Sequence, residues 1–240
     1  MGASTRRMAG EPWRARAGPA VARAWHDARR TARAAVQLVL SSDLALGYAA
    51  VVAAVTIVLQ LVPAEVRADV VARCSTNIAN LRDRPVFVLV VSAFVVPNLA
   101  GLLQLPVLML VYATGQRWVG RAGTVLAAGF GHVGATLLVA TLIASGITHG
   151  RLAESVAQAS DVGVSYGVAC LAGFVVSRVP PRWRGVYVAA LAGFYAGPLL
   201  RHQTFTDVGH VTALLLGLAL ALLAARVARA ALATGPHDQV

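Results

Sequence analysis

Long apolar runs, each closed by a short polar connection, constrain this chain more than any other feature. Crossing the ~30 Å hydrocarbon core of a bilayer takes roughly 20 helical residues. That test gives spans at 44–62, within 86–113, and at 124–147, 163–176, 186–200 and 207–226. In lipid every backbone polar group needs a partner inside the protein, and an α-helix supplies it within one segment. The expected fold is therefore all-α: a polytopic membrane protein with a six-helix bundle over 44–228. A basic cytoplasmic tail over 1–43 precedes the bundle, and a short cytoplasmic tail over 229–240 follows it.

The second region is the least regular. It is broken by Pro97 and Pro106, and two full crossings need about 40 residues. It reads either as a membrane-submerged segment followed by one span or as a single long kinked helix. Charged residues make up only 13% of the chain and hydrophobic residues 58%, against about 25% charged in a typical soluble domain. Too little polar surface remains to cover a water-facing globule.

A net charge of +11 normally raises nucleic acid as a partner, but here the charges sit in the N-terminal tail and at the ends of apolar runs, and nucleic-acid binding is excluded on that ground. All 21 basic residues are arginine, which with abundant Ala, Val and Leu suggests the coding bias of a GC-rich bacterium. Cytoplasmic loops carry the basic excess. With the N-terminus inside, 15 arginines fall on the cytoplasmic side and 6 on the outer side, so both termini are expected in the cytoplasm and the chain in the cell membrane. The apolar run after the tail is too long for a signal peptide and is expected to be retained. Residues 21–42 read either as a helix on the anionic inner leaflet or as a disordered basic tail. Cys74 and Cys170 form no framework, and no spacing implies a metal.

A polar side chain inside a span is costly and marks a functional hypothesis. Ser165 lies just inside the outer end of the fourth span, and His210 just inside the outer end of the sixth. One span separates these two, so they run parallel, and the pair sits at matched depth. The fourth span is also short, which leaves a depression through which water reaches Ser165. Gly209, Ala213 and Gly217 form a small-residue stripe on the sixth span, and Gly163 and Gly167 act similarly on the fourth. Such stripes let helix backbones approach closely, close enough for an imidazole to take the Ser proton. Taken singly, each residue has a plainer reading. A Ser in a span bonds its own i−4 carbonyl, and a His near a helix end bonds a loop carbonyl. His132, flanked by Gly131 and Gly134 inside the third span, reads first as a cross-helix hydrogen bond and second as an active-site group. Asn77 and Asn80 read as caps of the outer loop, and Asp161 and Asp207 as rim residues that complete no triad.

At Gly163-Val164-Ser165 and Gly209-His210-x-x-Ala213-x-x-x-Gly217 the chain resembles the rhomboid family of intramembrane serine proteases, and Gly115, Arg117 and Gly120 resemble the exit of that family's second helix. The resemblance covers roughly 44–228. It implies a Ser165/His210 dyad that cleaves transmembrane proteins near their outer ends, with the lipid bilayer as surroundings and no cofactor. The sequence departs from the family at three points. Ser165 is followed by Tyr166 rather than Gly, and Ala169 stands where a Tyr stacks on the catalytic His. The His-x-x-x-Asn pair of the second helix is missing, since Phe94 precedes Asn98. Asn98, His132 and the Ser165 amide are the candidate oxyanion donors in its place. The alternative is a catalytically inert rhomboid-like protein that binds membrane clients. A transporter ranks third, because paired acids and discontinuous helices are missing.

Overall fold

The computed structural model describes residues 12–202 and 204–233, and the expected tails fall partly outside them, at 1–11 and 234–240. Nine α-helices and four short 3-10 turns make up the described residues, which contain no strand. The α-helices are α1 (Pro12–Leu40), α2 (Asp43–Leu61), α3 (Ala64–Cys74), α4 (Ile78–Asp83), α5 (Pro85–Val91), α6 (Leu105–Thr148), α7 (Ser165–Phe174), α8 (Pro181–His202) and α9 (Phe205–Ala233). The all-α expectation holds. From Pro12 to Leu40 the basic tail is helical.

Three stretches are long and apolar enough to cross a bilayer: Asp43–Leu61, Leu99–Thr148 and Phe205–Ala231. The second has 50 residues, or about 75 Å at about 1.5 Å per residue, more than twice the hydrocarbon thickness. It turns back on itself at Gly120, whose φ of 76° and ψ of 174° are open only to a residue without a side chain. A polar clasp holds this turn against the start of α2. Ser42 caps α2 by accepting the Ala45 amide and donates to Gln116 Oε1 at 2.6 Å. Gln116 Nε2 donates to Asp43 at 2.7 Å, and Arg121 pairs with the same carboxylate at 2.7 Å. This cluster marks the Asp43 end of the bundle.

The irregular second region resolves into a submerged segment followed by one long helix. α5 and the 3-10 turn Ser92–Phe94 descend until the Ala93 carbonyl accepts from the Tyr48 hydroxyl at 2.6 Å. The chain then climbs back in extended form, and the Pro97 carbonyl accepts from Gln60, at the other end of α2. Pro97 is tolerated because this stretch is not helical.

α7 is the centre of the bundle. Tyr166 through Gly173 are all buried, packed between the second arm of α6 and α9. Cys170 is fully buried and unpaired. It faces Gly131 on one side and Gly217 on the other, and a Cβ at either glycine would collide with Cys170. Gly173 similarly faces the Leu214 carbonyl. On the far side of α6 the packing is open. A groove of about 610 Å³ runs between α2, the submerged segment and α6, from Asp43 and Arg121 to Val164 and Gly167.

Candidate active site

The loop that delivers α7 is fixed from two directions. The Asp161 amide donates to Ser75 Oγ at 2.7 Å, and the Asp161 carbonyl accepts from the Thr76 amide and hydroxyl, both at 2.9 Å. Two residues later the Gly163 amide donates to the Ser92 carbonyl at 3.0 Å. Gly163 has φ 140°, a left-handed geometry that turns the chain into α7 and that L side chains disfavour. Ser165 is the first residue of α7, so there is no preceding turn whose carbonyl its hydroxyl could bond.

The start of α9 is fixed by a reciprocal cap. Thr204 Oγ1 accepts the Asp207 amide at 3.2 Å, while the Asp207 carboxylate accepts the Thr204 amide at 3.1 Å and its hydroxyl at 2.7 Å. This capping box places His210 just inside the helix. The structure brings Ser165 and His210 together: Ser165 Oγ lies 2.8 Å from His210 Nε2. Both side chains are half-buried. Gly209 admits the approach, because the Tyr166 phenol occupies the space a Cβ would need. Ala213 is fully buried one turn further along, and Gly167 packs on the Ala128 carbonyl.

Two tyrosines hold the imidazole. The Tyr166 ring meets His210 edge-on at 5.2 Å between centroids, and Tyr195 of α8 lies across it at 5.8 Å. Tyr166 in turn donates its hydroxyl to the Asp161 carboxylate at 3.1 and 3.2 Å. Asp161 is therefore a correction to the sequence reading: it is buried, not a rim residue, although its partner is Tyr166 and not His210. Burial pushes its carboxyl up to about 6 against the hydrogen bonds from Tyr166 and Thr76. Tyr195 and Ser92 escape sequence reasoning, because an aromatic or a serine in an apolar run looks like any other core position.

His132 is buried in the bundle and bonds across to the submerged segment. Its Nε2 lies 3.1 Å from both Ser92 Oγ and the Leu89 carbonyl. Asn98 is exposed, and its Oδ1 accepts the Gly101 amide at 2.9 Å. Asn77 caps α4, and Asn80 donates to the Ala72 and Ser75 carbonyls.

A Ser–His contact across two buried helix faces, entered through glycines, is the arrangement that the motifs led us to expect. A family model described as "Rhomboid-like protein" matches residues 43–230. The chain belongs to this rhomboid-like family. No curated protein and no solved structure matches the chain. This rhomboid-like protein is accordingly a membrane protein, with lipid around its apolar helices.

Proposed function

We propose that this rhomboid-like protein is an intramembrane serine protease whose dyad is Ser165 and His210. The single observation that carries the reading is the 2.8 Å contact between Ser165 Oγ and His210 Nε2, within the range a nucleophile and its base require. With the proton on Nδ1, Nε2 takes the Ser165 proton as Oγ attacks a peptide carbonyl carbon. The tetrahedral adduct then expels the amine, which leaves with the proton from His210. Water, activated by the same nitrogen, hydrolyses the acyl-enzyme and restores Ser165. The first-turn amides of α7 have no partner within the helix, and their partial positive charge favours an oxyanion at the Ser165 end. Asn98 and His132 remain proposals for that task.

Six crossings fit the bundle: α2, the two arms of the helix that turns at Gly120, α7 with its 3-10 continuation, α8 and α9. The arginine split of 15 to 6 supports an orientation with both termini in the cytoplasm and the dyad at the outer surface. Substrates of this protease are membrane-spanning proteins cut near their outer ends.

The second reading is an inert client-binding protein. The missing His-x-x-x-Asn pair favours it, as does the membership of inactive proteins in this family, and the groove beside α2 offers a client room. Labelling by a fluorophosphonate separates the two. Folded wild type should be labelled, and Ser165→Ala and His210→Ala should each lose the label, because an unassisted hydroxyl is a weak nucleophile. Folded wild type that resists the probe gives the protein to the inert reading.

A further inference from the structure

α1 carries a stripe of side chains that the bundle does not use. Near its C-terminus Leu38 and Val39 pack against the core beside α2. Val39 belongs to a helical row at three- and four-residue spacing that continues through Val36, Ala32, Ala28 and Trp25 to Val21. Beyond the bundle this row is open among the described residues: Val36 is 57% exposed, Trp25 58% and Val21 66%. A tryptophan so exposed, in line with other apolar side chains, is a poor fit to water and a good fit to a bilayer boundary.

The flank of the row is basic. His26, Arg29, Arg30, Arg33 and Gln37 line one shallow depression along the helix. The Arg29 guanidinium lies 4.9 Å from the centre of the Trp25 ring. Asp27, paired with Arg30 at 2.9 Å, is the only acid in α1. The helix leaves the bundle at the Asp43 end, where the described residues outside α1 also bring Arg117, Arg121, Arg178, Arg182 and Arg184 together with the acid Asp43. The surface that α1 adjoins is thus the surface of the lipid that holds the bundle, and the charge that complements both is negative.

We propose that α1 lies along an anionic lipid surface, with Val21, Trp25 and Val36 in the acyl boundary and Arg29 and Arg33, which flank that row, against lipid phosphates. The apolar row anchors depth and the arginines select charge, so α1 couples the membrane domain to the anionic-lipid content of its leaflet. A juxtamembrane arginine contributes roughly a fivefold preference for an anionic surface, and two give about 30-fold.

The test uses the full chain reconstituted in two vesicle types: phosphatidylcholine alone, and equal phosphatidylcholine and phosphatidylglycerol, each carrying brominated acyl chains as quencher. The Trp25 signal is the difference between wild type and Trp25→Phe, an exposed site whose change leaves the bundle intact. Quenching of that signal in the mixed vesicles is expected, falling several-fold in phosphatidylcholine, in high salt and in the double variant Arg29→Gln, Arg33→Gln. Thermal unfolding of the variants, unchanged from wild type, guards against a folding defect. Equal quenching in both vesicle types, or none in either, overturns the proposal. So does a Trp25 shielded by a second copy of the chain, or one that responds to an added oligonucleotide and not to phosphatidylglycerol.

Discussion

The two sides of this bundle are packed by opposite rules. Between α7, α9 and the second arm of α6, glycines bring backbones together until Cys170 touches Gly131 and Gly217. Between α2, the submerged segment and α6, the same long helix borders a groove of about 610 Å³, where Gly47 and Gly129 have nothing within 4 Å. The 2.8 Å contact between Ser165 and His210 needs backbones held close together, and only the tight side supplies that. The loose side can exchange lipid or client without disturbing it. Position in the packing, not residue type, therefore decides what a glycine does here.

The comparison breaks hardest at Gly217. Its added methyl would meet the Cys170 backbone carbonyl, which cannot swing aside as a side chain can. Gly217→Ala should cost about 3 kcal/mol or more and abolish fluorophosphonate labelling, read by thermal unfolding and by the probe in one detergent.

Asp161 ties the tight side to the α3–α4 connection, since its backbone is bonded to Ser75 and Thr76 and its carboxyl to Tyr166. Its folded carboxyl, at about 6, lies above the ordinary value of 3.8. Below 3.8 both the folded and unfolded forms are protonated, and the stability is intact. As the pH rises through about 6 the folded form must accept a buried charge, and about 2–3 kcal/mol is lost. Asp161→Asn should flatten that decline between pH 4 and 7 in denaturation curves. A variant that declines as steeply as wild type removes Asp161 from the account.

The smallest effect belongs to the loose side. Gly129→Ala should gain about 0.5–1 kcal/mol from helix propensity alone, leaving labelling unchanged. A loss of stability there would show that the groove closes in solution.

The apolar runs and the small-residue stripes were readable because both are local patterns. A membrane span is a length, and a glycine row is a period. The matched depth of Ser165 and His210 followed from topology and one count. The surroundings of His210 were not readable. Tyr195 arrives from α8 with nothing in its neighbourhood to mark it. Asp161 looks like a loop acid until chain 85 residues upstream folds over it. The local surroundings of Asn98 were not readable either: its Oδ1 accepts the Gly101 amide at the start of a 3-10 turn. The submerged segment was one of two readings, because a proline can kink a helix as well as end it.

That segment has its own order of assembly. Pro85–Phe94 is about 15 Å of helix, half a bilayer, so nothing in its own length can hold it in lipid. The groups that receive it at depth are Tyr48, already made, and His132, still some forty residues from synthesis when the segment emerges. Until the second arm of α6 arrives, the Ser92 hydroxyl has no imidazole, and its carbonyl waits longer still, for the Gly163 amide. The loop ahead of Ser165 therefore docks on a segment that is itself held only once the second arm of α6 has folded back.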